Sequence, residues 1–131
     1  MKFYDVKLWK RKYIDLWTIP HFLIGVIFAF VAIIENFSVF NSFYLLVALA
    51  VLWELFEVKY NLTEPFTNRI VDVFASITGF YFAVVLIDYF DPQGDLFRNI
   101  LYFLMIIYVV SNIIGWLCKH LRDSKGGDNS L

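Results

Sequence analysis

The chain has 131 residues, is 60% hydrophobic and 21% aromatic, and carries a net charge of −1 with a mean hydropathy of +0.66. Soluble domains are roughly 45–50% apolar, so this composition excludes an ordinary water-soluble fold. The single cysteine, Cys118, excludes an intrachain disulfide.

The first stretch, residues 1–17, combines Lys2, Lys7, Lys10, Arg11 and Lys12 with Trp9, Tyr13 and Trp17. The aromatics recur at i, i+4 and i+8, one stripe of a helix. Such an amphipathic segment is expected to lie in the headgroup layer, drawn by anionic lipid. The same residues also serve as a basic topology signal with anchoring aromatics. The stretch is too short and too aromatic for a nucleic-acid partner.

Four runs then lack Asp, Glu, Lys and Arg: residues 16–34, 36–53, 73–87 and 99–118. A spanning helix needs about 20 mostly apolar residues. The third run reaches that length by borrowing residues 70–72 and 88–90. The expected fold is all-α: a polytopic membrane protein with a four-transmembrane-helix bundle over residues 18–120. Residues 121–131, small and polar toward the end, are expected to form a disordered tail. The first run lacks a small-residue cleavage pattern and three more follow, so it reads as a span rather than a signal peptide. No internal repeat stands out.

Lys and Arg set the expected orientation. They crowd the N-terminal stretch, the turn with Lys59 and Arg69, and the C-terminal tail with Lys119, Arg122 and Lys125. The other two loops hold Arg98 against Glu35, Asp88, Asp91 and Asp95. Both termini are therefore expected in the cytoplasm.

Lipid gives apolar helices no reason to choose one another, so small residues that allow close approach mark the packing faces. They are Gly25, Ala29 and Ala32 in line with His21; Ala50 in line with Glu54, Glu57 and Asn61; Ser76, Gly79 and Ala83 in line with Asp72; and Ser111 and Gly115 beside Asn112. Ionisable groups at the edge of hydrocarbon are costly and point to a use. The candidate ligand-binding residues are His21, Glu54, Glu57, Arg69 and Asp72, with Asn61, Asn68 and Ser76 nearby and Asp15 at the rim. Glu54 and Glu57 are neighbours on one helix face. Two close carboxylates in low dielectric need a shared proton or a cation between them. Three uses follow. The groups form a salt-bridge network through Arg69 that pins helices together, a polar site for a lipid headgroup, or a metal site. His21, Glu54, Glu57 and Asp72 are the candidate ligands for a divalent metal, and one His with three carboxylates suits a hard or borderline ion. No nucleophile with an adjacent base, phosphate loop or zinc motif is visible.

At these residues the chain resembles the VanZ-like family of small bacterial integral membrane proteins. The matching residues are Asp15 with His21, Glu54 with Glu57, Arg69, Asp72, and Ser76 with Gly79. The likeness runs from Asp15 to Ala83 and leaves out the last helix and both tails. The Asp-to-His spacing is longer here, Glu57 stands where the family has Gln, and Ser76 where it has Asn. The resemblance implies a role at the bacterial envelope, in the cytoplasmic membrane, and carries over His21, Glu54, Glu57, Arg69 and Asp72 as a site.

The expected function is engagement of a polar lipid or lipid-linked headgroup near the cytoplasmic leaflet, with Arg69 as the anion contact. The expected partners are membrane lipids, with a second copy or another membrane protein as further candidates. One alternative is a membrane-embedded hydrolase or transferase on a lipid headgroup, with Glu54, Glu57 or His21 catalytic and a metal assisting. Another is a structural accessory subunit, in which exposed aromatics such as Tyr102 and Tyr108 meet a partner.

Overall fold

A computed structural model describes residues 16–59, 66–92 and 94–126, with side chains as far as Leu117. The described residues form four helices and no strand: α1 (Thr18–Ile34), α2 (Val39–Lys59), α3 (Phe66–Phe90) and α4 (Gly94–Gly126). Asp15, Asn61 and the aromatic stripe at Trp9 and Tyr13 lie outside the described residues.

The helix ends are written in local chemistry. Pro20 falls in the first turn of α1, where its missing N–H costs no helical hydrogen bond. At the other end Asn36 adopts a left-handed φ of 54°. The Asn36 N–H then reaches the Ile33 carbonyl at 3.3 Å and the Phe37 N–H reaches the Ala32 carbonyl at 2.8 Å. This is a Schellman closure, with Asn tolerating the left-handed position. Ser38 follows at once and caps α2, its Oγ accepting from the Asn41 N–H at 3.3 Å. In the α3 to α4 turn Asp91 (φ 41°) and Gly94 (φ 61°) also take a left-handed φ, and the Asp91 N–H reaches the Ile87 carbonyl at 2.9 Å. Helix α4 runs through residues 121–126, which were expected to be disordered. No strong helix breaker occurs there before Gly126 and Gly127.

Three of the helices, α2, α3 and α4, are long and apolar enough to cross a membrane. Their outward faces carry large apolar side chains such as Leu52, Phe82, Val85, Phe103 and Ile106, a surface suited to hydrocarbon. Helix α1 has 17 residues, about 25 Å at 1.5 Å per residue, and is the shortest. It is also the hub. It packs against all three others, most extensively on α3, while α4 packs on α1 and barely on α2 or α3.

The α1–α3 contact is close because both helices present glycine. A Cβ built on Gly25 would lie 1.9 Å from the Ser76 carbonyl oxygen, and one on Gly79 would lie 2.1 Å from that of Phe22. Ala29 and Ala83, one turn on, are fully buried. Gly25 to Ala29 and Gly79 to Ala83 share the pattern Gly-x-x-Phe-Ala. The two copies pack in parallel, at the offset of 54 residues that also separates Thr18 from its partner Asp72. A short repeat that does not stand out along the chain is thus the centre of the fold. Around it Val26, Ile27 and Phe30 of α1 meet Leu46, Phe80, Ile87, Phe97 and Leu101. The Phe30 and Phe97 rings, 5.0 Å apart, tie α1 to the start of α4. At the other end the Trp17 ring lies against Gly115.

Candidate functional site

Helices α1 and α3 begin, and α2 and α4 end, on the same side of the bundle, and the polar residues gather there. Asp72 sits fully buried on α3, at 1% exposure. Its Oδ1 accepts a hydrogen bond from Thr18 Oγ1 of α1 at 2.8 Å, and its Oδ2 one from Asn68 Nδ2 at 3.1 Å. Asn68 is one turn earlier on the same helix, so the α3 periodicity itself supplies the second donor. Ser76, one turn later, donates back to the Asp72 carbonyl at 3.2 Å, which satisfies a buried hydroxyl within its own helix.

Glu54 of α2 is buried, and its Oε1 lies 3.9 Å from Nε2 of His21 on α1. One ligand atom each from His21, Glu54 and Asp72 lies within 4.8 Å of the others. Among the described residues this is the one set of His, Cys, Asp and Glu side chains that converges so. Three helices each contribute one group. The close α1–α3 crossing fixes two of them, and α2 brings the third on the face that also buries Leu46 and Ala50.

Glu57 and Arg69 are the remaining expected site residues among those described. Glu57 is only half-buried; its Oε1 accepts from Trp53 Nε1 at 2.9 Å on the outer part of α2. Arg69 is half-buried on α3, one turn before Asp72. Of the aromatics expected to meet a partner, Tyr102 is exposed, whereas Tyr108 is partly buried.

Tyr108 belongs to a groove of about 240 Å³. Its floor is Pro20, His21, Ile24 and Phe28 of α1, with Ser76 of α3. One wall is Leu46, Leu49, Ala50 and Trp53 of α2; the other is Tyr108 and Asn112 of α4. The groove exists because α2 and α4 each pack against α1 and scarcely touch one another. It is mostly apolar and has polar groups at His21, Ser76 and Asn112. His21 belongs both to the groove and to the carboxylate cluster, so the two features are continuous.

Sequence reasoning did not place Thr18 at the site, and it named Tyr108 and Asn112 without joining them to Trp53 in a groove. Thr18 stands three residues before His21, on the same helical face, and that spacing is the signal that could have found it. On the α4 wall the polar groups bond to their own helix: Asn112 Nδ2 and Ser111 Oγ both donate to the Tyr108 carbonyl at 2.8 Å.

No protein-family model matches the chain, and no curated protein and no solved structure is significantly similar to it.

Proposed function

We propose that this is a VanZ-like protein of the bacterial cytoplasmic membrane that engages a polar lipid or lipid-linked headgroup. One observation carries the reading: a buried cluster of His21, Glu54 and Asp72 adjoins an apolar groove, with His21 common to both. A lipid has this same division. Its chain lies between α2 and α4, against Ile24, Phe28 and Leu49, and its head reaches the polar end. Ligand sites are commonly apolar pockets with a few converging polar groups. The carboxylates take hydroxyl or cationic parts of the head, and Arg69, on the adjoining turn of α3, takes an anionic part.

Two experiments test this. Native mass spectrometry of the gently purified protein is expected to show one defined lipid adduct on the wild type. Leu49→Trp, which fills the groove from a half-exposed position, is expected to lose the adduct at an unchanged melting temperature. A wild type free of any defined lipid, or a variant with the same adduct, would sink the reading.

The orientation has its own check. The polar end is where the basic residues of the sequence collect, so it faces the cytoplasm. A reporter fused after Leu131 is expected to be active only in its cytoplasmic form. A periplasmic signal reverses the topology and moves the site to the outer leaflet.

A further inference from the structure

The cluster of His21, Glu54 and Asp72 is an unusual way to hold three helices together. Glu54 and Asp72 are both buried, and their oxygens approach within 4.8 Å of each other. Two carboxylates so close in low dielectric are offset by a proton or by a cation. A shared proton needs only two oxygens. The third corner is an imidazole, whose Nε2 is 3.9 Å from Glu54 Oε1, and an imidazole with two carboxylates is a mixed nitrogen and oxygen donor set.

That set suits a borderline divalent ion of the Zn²⁺ type better than Mg²⁺ or Ca²⁺, which favour oxygen alone. The spacing also fits. Metal–ligand bonds of about 2.0–2.2 Å place neighbouring donors about 3–3.5 Å apart. Side-chain rotations of about 1 Å therefore close the set without moving a helix. Asp72 is already oriented from behind, by Thr18 at 2.8 Å and Asn68 at 3.1 Å, as outer hydrogen bonds orient ligating carboxylates in metal sites.

We propose that His21, Glu54 and Asp72 bind one Zn²⁺-class divalent ion between α1, α2 and α3, with its remaining coordination positions toward the groove. Three protein ligands leave at least one position for water or another oxygen. In a headgroup site the ion supplies positive charge beside two carboxylates that would otherwise repel a phosphate. That use of the ion rests on the lipid reading above; the ion's binding does not.

The test uses the full-length protein in detergent, stripped with a chelator and then titrated with Zn²⁺ or Mg²⁺ alone. The expected result is one Zn²⁺ per chain by elemental analysis, with Mg²⁺ unable to compete. X-ray absorption at the zinc edge is expected to show one imidazole among oxygen ligands. His21→Ala and Glu54→Gln are expected to weaken binding by about 100-fold or more, and Thr18→Val by about 10-fold through the loosened Asp72. Asp88→Asn, an exposed carboxylate at the opposite end of α3, is expected to bind as the wild type does.

Folded wild type that takes up no stoichiometric zinc overturns the proposal, even if Glu54→Gln fails to fold. An absorption spectrum without imidazole scattering overturns it too, as does undiminished binding by folded Glu54→Gln. The lipid adduct is read separately on the same samples. Zinc without lipid leaves the metal site standing and removes the headgroup function; lipid without zinc does the reverse.

Discussion

Gly25→Ala is expected to be among the most destabilising single-methyl changes in the bundle. The added Cβ would lie 1.9 Å from the Ser76 carbonyl oxygen and 2.9 Å from the Phe80 nitrogen. Both are backbone atoms of α3, so no side chain can rotate away. The helices must part, and parting them loosens Ala29 and Ala83 and moves Asp72 away from Thr18. Overpacking a well-packed core costs about 1–3 kcal/mol and occasionally more. The upper part of that range is expected here, and Gly79→Ala, which meets the Phe22 carbonyl, should behave alike.

Gly115→Ala is the contrast. Its Cβ would come within 2.7 Å of the Trp17 ring, a side chain that can shift by the few tenths of an ångström needed. A cost of less than about 1 kcal/mol is expected. Reversible unfolding in mixed micelles measures all three variants. If Gly25→Ala is no worse than Gly115→Ala, the close α1–α3 crossing is not the centre of the fold.

Asp72→Ala is expected to destabilise the protein by about 2–5 kcal/mol, through the loss of two buried hydrogen bonds. The side chain is 1% exposed and accepts from both Thr18 and Asn68. Its removal leaves two donors without these acceptors where water is scarce, at about 1–3 kcal/mol for each buried group. Thr18→Val removes the hydrogen bond to Asp72 and is expected to cost only about 0.5–1.5 kcal/mol. The two changes should be far from additive, because both remove the same Thr18–Asp72 hydrogen bond. A double-mutant cycle on the same unfolding assay measures the coupling. Full additivity would mean that the Thr18–Asp72 contact does not join α1 to α3. Zinc uptake by Thr18→Val separates this structural role from metal binding, since a purely structural bond moves the melting curve and leaves affinity unchanged.

The polar cluster was partly legible in the order of the residues. The small-residue stripes turn His21, Glu54 and Asp72 toward other helices, and these three do meet. Glu57 shows the limit of that reasoning. On an ideal helix it is only about 60° from Glu54, so either or both could face inward. The rotation of α2 decides, and Leu46, Ala50 and Glu54 fix it by occupying the buried face. Glu57 is left on the outer part with Trp53. The groove was not legible at all, because it follows from two walls that fail to meet rather than from any residue of its own.

The sequence by itself determined the helical class, the approximate extent of the helices and the apolar character of the surface. Each is a property of consecutive residues. A long uncharged run must satisfy its backbone within itself, and so becomes a helix wherever water is absent. Asn36, Ser38 and Gly94 then mark ends through their own φ preferences and side-chain caps. The tertiary structure alone decided that the shortest helix is the hub, that Gly25 and Gly79 face each other in parallel register, and that the groove opens between α2 and α4. Hydrocarbon solvates every apolar face about equally well, so apolarity carries no information about which helix sits beside which. That choice falls to a few close contacts between residues 54 positions apart, a separation at which no local pattern speaks.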